Sequence, residues 1–128
     1  MSPTQRSKAY LEKAGYNVAI VEHWNSWCKI RQDLFGFADL LAFRVGVPMM
    51  LVQTTTASNL AARRVKLLNN RYAKRWVQAK GEVVLHSWAL RGARGEKKTW
   101  TPEPEWLAED QFTCQPSELR GSLGAERE

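Results

Sequence analysis

Cysteine is nearly absent from this 128-residue chain. Its two cysteines, Cys28 and Cys114, stand far apart in sequence and support neither a disulfide framework nor a Cys-paired zinc site. Adding His23 and His86 to Cys28 does not help, because no metal-ligand spacing results. Long apolar runs are missing as well: none approaches the ~20 residues that a membrane helix needs. The opening Met1-Ser2-Pro3-Thr4-Gln5-Arg6 carries no hydrophobic segment of the secretory type. No membrane contact and an intracellular, cytoplasmic location are the expectations. Acid is scarce over most of the chain: residues 1–100 hold 17 Lys and Arg against 6 Asp and Glu, whereas residues 101–128 hold 2 against 7.

What is present suits one folded domain. Hydrophobic residues make up 44% and charged residues 25%, the balance of a globular chain with a single core. The net charge of +6 understates how basic the body is, since the acidic end offsets it. A basic domain of this size points to a polyanion, nucleic acid first, against the plainer reading of a solvated surface.

Hydrophobic periodicity and breakers give an element order. Residues 4–14 suit a short helix stopped at Gly15. Tyr16 to Glu22 alternates as a strand, with Val18, Ile20 and Glu22 on one face. Residues 23–35 read as a polar and aromatic connection. Phe37 to Val45 is a second strand, Gly46-Val47-Pro48 a turn, and Met49 to Thr56 a third strand rich in β-branched residues. Ser58 caps a helix running to about residue 68. Asn69-Asn70 interrupts it, and Arg71 to Lys80 forms another helix that stops at Gly81. Glu82 to Leu90 is a fourth strand, and Thr99 to Pro102 adds an edge strand. The expected fold is α/β, a mixed four- to five-stranded sheet flanked by helices in the order α-β-β-β-α-β, within a domain of residues 1–110. Residues 111–128 read as an acidic tail with little order.

A polar trio interrupts two otherwise apolar strands. A hairpin centred near residues 46–47 pairs residues whose numbers sum to about 93, which sets Asp39 opposite residues 53–55. Alternation puts Gln53 and Thr55 on one face with Leu51, and Asp39 on a face with Phe37 and Leu41. A buried Asp needs a compensating partner, so Asp39 is either a hydrogen-bonded strand end or part of a functional site.

Gly15-Tyr16 before a strand, Phe37-Ala38-Asp39-Leu40-Leu41-Ala42 and Leu51-Val52-Gln53-Thr54-Thr55 resemble the PD-(D/E)xK nucleases, with Holliday-junction-resolvase-like members of phages and bacteria the nearest. The resemblance covers about residues 4–90 and implies a restriction-endonuclease-like core. It implies a catalytic set in which an Asp and the Glu of ExK bind Mg²⁺ (or Mn²⁺) while a Lys positions the nucleophile or neutralises charge. Asp39 matches the Asp, with Ala38 where the motif has Pro. Gln53 stands at the Glu and Thr55 at the Lys. Gln53 is a neutral oxygen donor with less pull on a cation than a carboxylate, and Thr55 brings no positive charge. Glu22, at the end of the first strand, is the candidate second carboxylate, so Asp39, Gln53 and Glu22 form the expected metal set. Asp33, just before the Asp39 strand, reads as a turn residue with a lesser claim on the metal. Lys66, with Arg63 beside it, is the candidate for the missing cation.

Residues 61–75 contain Arg63, Arg64, Lys66, Arg71, Lys74 and Arg75 and no acid. On helices such a stripe suits sequence-independent phosphate contacts, with Leu60, Leu67 and Leu68 turned to the core. Of the six tryptophans, Trp76 and Trp88 fall in regular elements and read as core. Trp24 and Trp27 lie beside Lys29 and Arg31 in the connection; packing over that loop is favoured over stacking on unpaired bases. The expected function is metal-dependent phosphodiester hydrolysis of branched or structured DNA, in a bacterial or phage-infected cell. DNA is the expected partner, and a homodimer is an admissible assembly. The alternatives are a catalytically inactive DNA-binding module of the same fold, or an interaction protein that uses its acidic end.

Overall fold

The computed structural model describes residues 1–114. Helix α1 (Pro3–Lys13) starts where the Ser2 hydroxyl accepts from Gln5 N–H at 3.2 Å and where Pro3 presets the first helical turn. It ends at Gly15, which turns back with φ +96°. Strand β1 (Asn17–Ile20) follows and pairs antiparallel with β4 (Leu40–Phe43). Strand β4 pairs antiparallel with β5 (Met50–Thr56) through the turn at Gly46, whose φ is +91°. Helices α2 (Leu60–Leu68) and α3 (Arg71–Gln78) carry the chain across to β6 (Glu82–Arg91), which lies parallel to β5. Strand β7 (Thr99–Trp106) closes the sheet antiparallel to β6, giving the order β1-β4-β5-β6-β7.

The protein is thus α/β, with a mixed five-stranded sheet covered by helices. On one face Leu11 of α1 packs with Leu40, Ala42, Met50, Val52 and Val84. On the other, Leu67 and Ala73 of α2 and α3 pack with Phe37, Leu51, Val83, Leu85, Leu107 and Phe112. Central strands β5 and β6 are covered on both sides, which is why each carries consecutive apolar residues, Met50-Leu51-Val52 and Val83-Val84-Leu85. Asn70 separates the two helices and caps the second, its Oδ1 accepting from Tyr72 N–H at 2.8 Å and Ala73 N–H at 2.9 Å. Trp76 and Trp88 take the core positions expected of them, Trp88 buried and Trp76 partly so.

Several boundaries differ from the expectation. The stretch 23–35 is not a plain connection: β2 (His23–Asn25) and β3 (Ile30–Gln32) form a separate antiparallel hairpin. The second core strand is short, beginning at Leu40, because Leu34 N–H takes the carbonyl of Ala38 in a local bridge. The edge strand is longer than expected and tolerates Pro102 and Pro104, which at an edge need donate no ladder hydrogen bond outward. Helix α2 is entered through a 3-10 turn at Ala57–Asn59 and not directly from a Ser58 cap. The folded domain extends past residue 110, since Phe112 and Cys114 are buried in the core. The remainder of the expected tail lies outside the described residues. Among the described residues no helix is long and apolar enough to cross a membrane.

Candidate active site

Strand directions bring three chain segments to one end of the sheet. Because β1 and β5 run antiparallel to β4, the C-terminal ends of β1 and β5 flank the N-terminal end of β4. Leu40 pairs with Val52 and Leu41 with Leu51, so the same register sets Asp39 opposite Gln53. Asp39, Gln53 and Thr55 are all buried, at 6%, 4% and 5% exposure. They line a cleft of about 840 Å³ together with Glu22, Asp33, Thr54, Arg31, Arg63 and Lys66.

Asp39 is anchored by a residue that sequence reasoning did not single out. Its Oδ2 accepts from the Thr54 backbone N–H at 2.8 Å and from the Thr54 hydroxyl at 3.1 Å. The Ala38 carbonyl is already held by Leu34 N–H, and the Asp39 carboxyl supplies Thr54 with an acceptor at this strand end. Thr54 Oγ1 also lies 3.0 Å from Thr4 Oγ1, so α1 braces the same corner. The Thr55 hydroxyl donates to the Thr56 carbonyl at 3.3 Å.

Carboxyl oxygens of Glu22, Asp33 and Asp39 all lie within 4.8 Å of one another. The expected convergence of Glu22 with Asp39 is present. Asp33, expected to be mainly a turn residue, is a full member of the group. Glu22 also accepts from Arg31 Nη1 at 3.2 Å. Burial pushes the Asp39 carboxyl up to about 8, against the pull of the Thr54 N–H; its hydrogen bond with Glu22 and the charges of Asp33 and Glu22 push it the same way. Burial also raises Asp33, while its bond to Asp39 and the nearby Arg63 and Lys66 draw it down. The cluster therefore holds more potential negative charge than its surroundings neutralise.

The basic residues separate into distinct environments. Arg31, Arg63 and Lys66 line the cleft. Arg64 does not: its guanidinium grips Glu105 of β7, Nη2 to Oε1 at 2.8 Å and Nε to both carboxylate oxygens at 3.1 Å. Arg71 sits over the Tyr72 ring and donates to its hydroxyl at 3.0 Å. Lys74 lies beside Glu109 and Asp110, and Arg75 is on α3; neither lines the cleft. Lys29 occupies the β2–β3 turn with φ 54°. His23 and Cys28 are exposed on the hairpin while His86 is buried on the main sheet, where its Nδ1 lies 2.6 Å from Ser7 Oγ.

No protein-family model matches the chain, and no curated protein or solved structure does so either. What the site does chemically is therefore argued from its own residues. A cleft lined by three carboxyl groups, a neutral amide and three cations suits a cation together with an anionic substrate.

Proposed function

We propose that this protein hydrolyses phosphodiester bonds in DNA with the help of a divalent cation. The observation that carries the reading is the convergence of Glu22, Asp33 and Asp39 within 4.8 Å in a cleft whose wall holds Arg63 and Lys66. The donor set fits Mg²⁺ or Mn²⁺: hard oxygen ligands, more than one carboxylate, and Gln53 in the same cleft with a neutral carbonyl oxygen. The raised Asp39 carboxyl supports the fit, because a cluster that holds protons for want of a counter-charge is one that a cation stabilises when ionised.

A bound cation would supply Lewis acidity at a phosphoryl oxygen and lower the pKa of an attacking water. The protein's own residues do the rest. Glu22, Asp33 and Asp39 hold the charge, and Thr54 fixes the Asp39 rotamer from the backbone of β5. Lys66 and Arg63 offer donors to phosphate oxygens and offset charge that accumulates on them. The motif resemblance to PD-(D/E)xK nucleases supports the same reading, as does the order of helix, three core strands, helices and strand. Within that resemblance, Glu22 and Asp33 provide the charge that Gln53 lacks at the Glu position. Lys66 takes the part of the Lys that Thr55 replaces. A restriction-endonuclease-like core and a resolvase-like preference for branched DNA belong to this proposal.

Incubating the full chain with duplex, single-stranded and four-way-junction DNA in Mg²⁺ or Mn²⁺ tests it. Cleavage that Asp39→Asn abolishes, with DNA binding kept, is the expected result. A parent protein that cuts none of these substrates with either metal overturns the catalytic reading. Retained DNA binding would then leave a binding module of the same fold.

A further inference from the structure

The β2–β3 hairpin stands outside the main sheet, yet it is mounted on the carboxylate cluster. Glu22 immediately precedes β2 and Asp33 immediately follows β3. Arg31, on β3, bridges to Glu22 and lines the cleft. The strands, three residues each, extend roughly 10 Å from this base, at ~3.3 Å per residue. Trp27, in the turn beyond the strands, is 95% exposed, and Trp24, in the middle of β2, is 58% exposed. Packing over the loop, the expectation from sequence, does not occur for Trp27, while Trp24 is partly covered.

The tip is built, not slack. Asn25 Oδ1 accepts from Trp27 N–H at 3.0 Å and Cys28 N–H at 3.2 Å, and Asn25 Nδ2 donates to Gln32 Oε1 at 3.1 Å. Trp24 pairs across the hairpin with Arg31. Residues 23–32 contain Lys29 and Arg31 and no acid. The fixed turn presents the Trp27 indole to solvent without the burial an aromatic of this size normally gains, so its π-face is open to contact. A planar π-face beside cations, next to a cleft with Arg63 and Lys66, matches a nucleobase on a phosphate backbone.

We propose that Trp27, at the tip of the β2–β3 hairpin, stacks on an unpaired nucleobase, and that the hairpin thereby selects DNA with splayed or bulged bases. This rests on the phosphodiester reading above and names the substrate class of that cleft. A stacked base within an intact duplex offers no free π-face, so the contact discriminates by base exposure and not by sequence.

Equilibrium binding of the full chain in EDTA, where hydrolysis is prevented, provides the test. The probes are a labelled duplex and the same duplex carrying a bulge of unpaired bases. The parent should favour the bulged probe by about 5- to 150-fold, the value of one base–aromatic stack. Trp27→Ala should lose that preference while holding its duplex affinity within about twofold, and Trp27→Phe should keep part of it. Tryptophan emission should fall on adding the bulged probe to the parent, and this quench should be much smaller in Trp27→Ala. Equal preference in parent and Trp27→Ala overturns the stacking assignment alone. A parent that binds neither probe overturns the DNA reading with it. If sedimentation shows that Trp27→Ala converts a dimer to a monomer, the hairpin is a self-association surface and the proposal fails.

Discussion

Replacing Asp39 by Asn should stabilise the metal-free protein, and the gain should grow with pH. The Asp39 carboxyl sits at about 8 in the fold against an ordinary 3.8. An acid whose folded pKa is raised contributes stability that is complete below the unfolded pKa and is lost as pH climbs to the folded value. Between about pH 4 and 8, the folded state retains a proton that the unfolded chain has released. At ~1.36 kcal/mol per unit this reaches about 4 kcal/mol at pH 7. Asp33, also raised, shares the load, so the single change is expected to recover about 2–4 kcal/mol. Asn keeps an oxygen for the Thr54 N–H and hydroxyl and offers an N–H toward Glu22, so the hydrogen bonds survive. Urea denaturation in EDTA should show the variant midpoint ahead by about 1–3 M at pH 8, with the gap closing toward pH 4. Adding Mg²⁺ or Mn²⁺ should narrow the gap by stabilising the parent more than the variant. A variant no more stable than the parent at pH 8, or a gap independent of pH, would refute the account of a charge-frustrated cluster.

Three further outcomes follow from the same geometry. Arg63→Ala with Lys66→Ala should reduce the magnitude of the salt slope of DNA affinity by about 2, near 0.9 per phosphate contact, whereas Arg64→Ala should leave it unchanged because Glu105 already occupies that side chain; titrations across ionic strength decide this. Truncation after Asp110 removes Phe112 and Cys114 from the core and should cost about 2–4 kcal/mol in thermal or urea unfolding, while truncation after Cys114 should retain cooperative melting. Burial lowers His86 from 6.5 to about 4, so the stability it contributes is complete above pH 6.5 and is lost as pH falls toward 4, about 3 kcal/mol in all; His86→Gln should flatten that acid limb in pH-dependent denaturation.

The parts of the site that were legible in sequence are those set by strand periodicity. Apolar runs on either side of Gly46 fixed a hairpin whose pairs sum to 92, one away from the arithmetic expectation, and this alone sets Asp39 opposite Gln53. Each of Asp39, Gln53 and Thr55 interrupts an apolar face, so the cost of burying it marks the position. The β2–β3 hairpin left no such mark: much of its surface meets solvent, and a strand that buries little has no inside and outside to encode in alternation. Asp33 was undervalued for a related reason. Its place depends on a turn in which Phe35 and Gly36 take φ 57° and 80°, returning the chain to pair Leu34 with Ala38, and that path is decided by tertiary contacts. One of these is the Asn70 side chain, which donates to the Phe35 carbonyl at 3.1 Å from the start of α3.

The same distinction separates the scaffold of the site from its reach. Asp39, Gln53, Thr54 and Thr55 belong to the sheet, where a shift of one residue would move every side chain to the wrong face, so register holds them tightly. Glu22 and Asp33 enter from the ends of a hairpin that has its own two-stranded pairing and no ladder to the main sheet. Two of the three carboxyl groups are therefore mechanically tied to the element that carries Trp27, and the third is tied to the core. The base of the hairpin is itself bonded to the segment that carries Asp39: Val21 N–H donates to the Asp39 carbonyl at 2.9 Å and Leu34 N–H to the Ala38 carbonyl at 3.0 Å. Charge repulsion among the carboxyls, when ionised, loads these bonds, and a cation shared by the three groups would relieve it.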